Sequence, residues 1–173
     1  ELQYIQYALD SFASVEEMIE GTDLIRIRQA YAGVHYLACD ASGNCASFEW
    51  LNGELALATA KEMPAPTLTN SSYEESAKYL ANFEGFGGFD EIPGSSSSLD
   101  RFVRASSLAA KQADGEVPGA AFSILESVAQ GDFSKWNIVY DLEKRVVHFR
   151  TLSSPEIKRV ALSDFDPDCA AGH

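Results

Sequence analysis

The sequence predicts an α+β fold in which antiparallel sheets are layered with helices. Three observations predict it. The apolar period changes from about 3.6 residues to 2 at Leu24, returns to helical spacing after the prolines at 64 and 66, and becomes 2 again from Trp136. Asn52-Gly53, the dipeptide most favoured for a two-residue type I′ hairpin, joins two apolar runs. The helices fall between two sets of strands, so the strand-helix-strand alternation of a doubly wound sheet is absent.

The 173 residues are 46% apolar and 23% charged, which suits one domain around one sizeable core. Twenty-six acidic against 13 basic residues give a net charge of −13, which repels phosphate backbones and anionic lipid surfaces, so nucleic acid is not an expected partner. No run reaches the roughly eighteen apolar residues of a membrane span, and Glu1-Leu2-Gln3-Tyr4 lacks the parts of a signal peptide. Cys39, Cys45 and Cys169 are too few for a disulfide scaffold, although a Cys39 to Cys45 bridge stays open. His35, Cys39 and Cys45 lack an accompanying CxxC or HxxxH and read as strand residues, so neither a metal nor a cofactor is expected.

Leu2, Ile5, Leu9 and Phe12 make an apolar stripe on an opening helix. Ser14 and Glu17 form a capping box for a second helix that runs to Glu20, where Gly21 stops it. Strands follow at Leu24 to Gln29, Val34 to Cys39, Cys45 to Leu51 and Glu54 to Ala60, as an antiparallel meander with a tight turn at Asp40 to Gly43. In the third of these, Ala46, Phe48 and Trp50 make one face strongly apolar, while Ser47 and Glu49 leave the other mixed. Ser72 and Glu75 open a helix from Tyr73 to Phe83, and the loop Gly85 to Phe89 after it reads as mobile and pocket-bordering. Ser97 and Ser98 can cap the next helix, whose buried stripe is Leu99, Phe102, Val103, Ser106, Ala109 and Ala110. A helix after Pro118 carries Ala121, Ile124, Leu125 and Val128 on one face and ends at Gly131. Strands close the chain at Trp136 to Tyr140, Arg145 to Leu152 and Ile157 to Leu162.

Two polar residues sit where the backbone turns. Asn70 ends a short extended piece after Met63-Pro64-Ala65-Pro66, and taken alone it is a turn or cap residue. Arg101 lies in the first turn of its helix, where a cation opposes the helix dipole and needs some other reason to be there. Glu49 and Asp40 could form a carboxylate pair, but among 26 acids a chance pairing on a solvated face is the plainer reading. The chain shows no GxSxG elbow, HExxH or Walker loop.

Several segments, in order, closely resemble the C-terminal part of the choloylglycine hydrolase family. They are Val34-His35-Tyr36-Leu37 through Gly43, Phe48-Glu49-Trp50-Leu51-Asn52-Gly53, Leu68-Thr69-Asn70-Ser71, Pro93-Gly94 followed by serines and Arg101-Phe102-Val103-Arg104-Ala105, Trp136-Asn137-Ile138-Val139-Tyr140-Asp141-Leu142, and Phe149-Arg150-Thr151. That family contains conjugated bile salt hydrolases and penicillin V acylases, N-terminal-nucleophile hydrolases that cleave linear amides within a four-layer αββα fold. The resemblance implies that Asn70 helps to hold the tetrahedral intermediate and that Arg101 lines the catalytic pocket. The family's nucleophile is a first-residue Cys whose own α-amine acts as base, whereas this sequence starts at Glu1. Residues 1–173 are therefore expected to be a single domain, the C-terminal portion of such an enzyme, inactive alone. Its expected partners are a small-molecule N-acyl amide, such as a bile salt conjugate, penicillin V or an N-acyl homoserine lactone, and the missing N-terminal portion or a second copy. The rival expectation is a non-catalytic binding or assembly module that keeps the fold.

Overall fold

The computed structural model describes residues 3–27, 33–60, 62–112 and 115–165. Helices α1 (Gln3–Ser11) and α2 (Val15–Glu20) lead into a meander of β1 (His35–Cys39), β2 (Cys45–Leu51) and β3 (Glu54–Ala58). Three helices follow, α3 (Tyr73–Leu80), α4 (Ser98–Lys111) and α5 (Gly119–Ser127), and then β4 (Trp136–Asp141), β5 (Val146–Thr151) and β6 (Ser154–Ala161). Each set of strands makes its own antiparallel sheet, in the orders β1-β2-β3 and β4-β5-β6. Mixed helices and antiparallel sheets are what the sequence predicts.

The turns form for the reasons the sequence carries. Asn52 and Gly53 take φ of 54° and 86°, the left-handed pair that a type I′ turn needs. The Asp40 carboxylate accepts from Ser42 N and Asn44 N inside the first hairpin loop, and from Val15 N at the start of α2. Those amides, Val15 foremost, hold the Asp40 carboxyl below its usual value. Helix α2 is thus capped from within by Ser14 and from outside by the hairpin it packs on.

Cys39 and Cys45 face each other across that hairpin and are bonded, with Cα atoms 4.1 Å apart. Closing so short a loop restricts the unfolded chain, so reduction should lower stability by about 2 kcal/mol. A urea midpoint that is unchanged by reductant would contradict this.

Two apolar clusters hold the molecule. Tyr4, Val15 and Met18 pack on Tyr36, Ala46, Phe48 and Trp50 of the first sheet. Tyr73, Leu80, Phe83, Phe102 and Val103 join α3 to α4. Phe48 and Phe102 are fully buried, each contributing about 1.5–3 kcal/mol of transfer free energy. Arg104 fastens the second region: its guanidinium donates to the Pro93 and Ser95 carbonyls and to Ser127 O, one of the carbonyls that the end of α5 leaves free.

Several expectations need correcting. Residues 24–27 form no strand: a 3₁₀ turn runs Gly21–Leu24, and Ile25 and Ile27 alternate inward because they pack on the first cluster without joining a ladder. Gln29 lies outside the described residues. On α1 the inward face is the buried Tyr4 with the half-buried Ala8, continued by Phe12 just past the helix end, while Ile5 and Leu9 are exposed; Leu2 lies outside the described residues. On α4, Ala105 and Ser107 are buried and Ala110 is exposed, and α5 buries Phe122 and ends at Ser127, before Gly131. The loop from Gly85 is hydrogen-bonded to itself. Asp90 N donates to Asn82 O and Glu84 N to Asp90 O, and a Cβ on Gly88 would lie 1.9 Å from Asn82 O. It lines neither cavity described below.

Candidate active site

Residues 67–72 lead from the prolines into α3, and they are fastened on both sides. From α4, Ser98 Oγ donates to Thr69 Oγ1, Thr69 Oγ1 donates to Ser98 O at 3.0 Å, and Ser71 N donates to Ser98 Oγ at 2.7 Å. From the first sheet, His35 Nε2 lies 2.5 Å from Thr69 O. Glu49 accepts the Tyr73 amide on both carboxylate oxygens, at 3.0 and 2.9 Å. Asn70 sits between these fastenings.

The two residues singled out from the sequence meet. Arg101 Nη2 donates to Asn70 Oδ1 at 2.5 Å, and Arg101 Nε donates to Ser96 O at 3.2 Å. A guanidinium has donors only, so the Asn70 atom facing it must be the oxygen. The Asn70 amide N–H donors are therefore left over, and among the described residues they have no partner. Asn70 lines an open hollow of about 120 Å³ with Gly33, Val34, His35, Glu49, Trp50, Leu51 and Ser72. Arg101 does not line it, and reaches it through Asn70. This is the reason for a cation in the first turn of α4: its partner lies outside the helix. Burial first, and the neighbouring Arg104 second, lower the Arg101 guanidinium from its usual value.

Sequence reasoning missed His35 and Glu49. Glu49 is not on a solvated face but 3% exposed, because the second face of β2 is covered as well as the first. It pairs with His35, Nδ1 to Oε1 at 2.6 Å, and not with Asp40, which serves the hairpin loop. The hydrogen bond to Glu49 raises His35 above its ordinary value, with the Thr69 carbonyl adding and partial burial opposing. Among the described residues no cluster of His, Cys, Asp and Glu could hold a metal ion, and no helix is long and apolar enough to cross a membrane.

No family model matches the chain. A penicillin V acylase of Pectobacterium atrosepticum is 29% identical over 113 residues, covering 60% of this chain and 30% of that protein. The structure of penicillin V acylase from Agrobacterium tumefaciens superposes with a TM-score of 0.79 at 26% identity, over 98% of this chain and 58% of its own. By both comparisons the chain resembles the choloylglycine hydrolase family. Two variant structures of conjugated bile acid hydrolase from Clostridium perfringens share the fold, with TM-scores of 0.70 and 0.74 at 18% identity. Those two matches cover 90% and 95% of this chain. The chain spans 30% of the curated relative it matches and 58 to 62% of the solved chains.

Proposed function

We propose that the chain is the C-terminal portion of a hydrolase of linear amide C–N bonds, acting on N-acyl substrates such as penicillin V or conjugated bile salts. The observation that carries the reading is the state of Asn70. Its oxygen is taken by Arg101, and its amide donors are left at the hollow it lines. Amide hydrolysis builds negative charge on the carbonyl oxygen, and a donor fixed before the reaction stabilises that charge by about 2.7–4 kcal/mol. In this role Arg101 orients Asn70, and its positive field favours a nearby thiolate. The attacking sulfur adds to the carbonyl carbon, the amine leaves with a proton, and water then releases the acid.

In this reading the sulfur comes from elsewhere. Cys39 and Cys45 are bonded to each other, and Cys169 lies outside the described residues. In this reading a Cys and its α-amine, supplied by residues beyond these 173, complete the site. The sheets also present surface for such a partner or for a second copy. Trp136, Tyr140 and Leu142 at the β4 edge are 62 to 81% exposed. Tyr140 and Leu142 border a groove of about 780 Å³ against α1 and β1. Exposed apolar strand edges favour association.

The isolated 173-residue chain should therefore show no turnover of penicillin V or a bile salt conjugate, and should sediment as more than a monomer at micromolar concentration. Turnover abolished by thiol blocking would overturn the divided site, and a sharp monomer would overturn the association. Hydrolysis of neither amide by the longer parent protein would overturn the enzyme reading itself.

A further inference from the structure

We propose that His35 and Glu49 are positioning residues for Asn70: an imidazolium–carboxylate bridge from the first sheet that grips the backbone on either side of it. The inference rests on the amide-hydrolase reading for its catalytic meaning, and on geometry alone for the bridge. His35 Nε2 reaches the carbonyl of Thr69, the residue before Asn70. Its Nδ1 reaches Glu49 Oε1, and both Glu49 oxygens accept from Tyr73 N, three residues after Asn70. One connected set of hydrogen bonds thus brackets Asn70 and sets where its backbone lies. The Arg101 contact then sets how its amide is turned.

The chemistry of the partners determines the protonation. A carbonyl oxygen only accepts, so Nε2 must carry a hydrogen. An ionised carboxylate also only accepts, so Nδ1 must carry one too, and the bridge in its full form is an imidazolium. Between Thr67 and Ser72 the loop brings no titratable side chain. Among the described residues, the charged groups around the pair are Glu49 from β2, and Arg101 of α4, bound to Asn70 beside Thr69. On α3, Glu74 and Glu75 are exposed, and Lys78 pairs with Glu74. Loss of the His35 proton removes a donor from one side of the grip and leaves the buried Glu49 charge without its cation, so the positioning weakens as pH rises.

The first test is ring ¹⁵N NMR of the full chain across neutral pH. The bridge predicts both His35 nitrogens protonated at pH 7, with a titration above the ordinary value of about 6.5. A neutral His35 with a single N–H at pH 7 would overturn it. The second is amide exchange in His35→Phe and in His35→Gln, which keeps one donor. Exchange at Ser71 and Tyr73 should rise at least tenfold in the first and less in the second, with Phe48 and Trp50 of the β2 ladder unchanged. No change at Ser71 and Tyr73, or an equal loss of protection everywhere, would overturn a local grip. The third is turnover by the parent protein carrying His35→Phe. kcat should fall with KM held, and the difference between the variant and parent pH profiles should follow the His35 titration seen by NMR. A kcat that is unchanged would remove the positioning role. A parent protein without amidase activity would sink the functional reading and leave the first two tests to decide the bridge.

Discussion

In the amide hydrolase proposed above, Asn70→Ala should lower kcat by about 10² to 10³ while leaving KM and the denaturation midpoint nearly unchanged. The size follows from the donor's job. In the proposed role the Asn70 amide meets a carbonyl oxygen that is neutral in the ground state and carries charge in the transition state, so its loss would fall on the chemical step. A residue serving only the turn would lose about 1 kcal/mol of stability with kcat intact. The structure sharpens the contrast, because among the described residues the Asn70 side chain holds no backbone group and its one hydrogen bond is to Arg101. The fold around it is carried by Thr69, Ser71 and Tyr73, which Asn70→Ala does not touch. Measuring kcat and the midpoint on one sample separates the roles, and an unchanged kcat would remove Asn70 from the catalytic set.

The elements were legible because each is written locally. Ser14, Ser72 and Ser97 each cap the helix that follows, and Asn52-Gly53 makes the turn its backbone freedom favours. Half of the missed pair was legible too. Once the Asp40 loop sets Cys39 against Cys45, stepping two residues back along each strand brings Leu37 to Ser47 and then His35 to Glu49. Glu49 looked solvated because its face is mixed in composition, and composition does not show that a loop and a helix some twenty residues on will cover it. The contacts to Thr69 and Asn70 join segments about thirty residues apart, and no periodicity encodes them. The failure at residues 24–27 has the opposite cause. Ile25 and Ile27 alternate as a strand would, and the period records which side chains turn inward, not whether the backbone finds a partner.

Glu49→Ala should destabilise the fold by roughly 3 kcal/mol, the low end of the usual cost of breaking a buried pair, since His35 keeps 21% of its side chain exposed. The change strips an acceptor from Tyr73 N and leaves His35 Nδ1 facing a void. Glu49→Gln keeps an oxygen for one of them and should cost less, about 1–2 kcal/mol. The dependence on pH is the sharper test. The folded value of His35 is raised by Glu49, so the pair's stabilisation is complete below the unfolded value of about 6.5 and is lost as pH rises through the folded one. Glu49→Ala has no such stabilisation to lose. The stability gap between parent and variant should therefore be widest on the acid side of neutrality and narrow as pH rises, until the parent holds a neutral imidazole beside a buried carboxylate. Denaturation midpoints of both proteins, taken from about pH 6 to about pH 9, measure this directly. A gap that stays constant across that range would mean that the pair carries no titrating proton, and would leave the grip on Asn70 insensitive to pH.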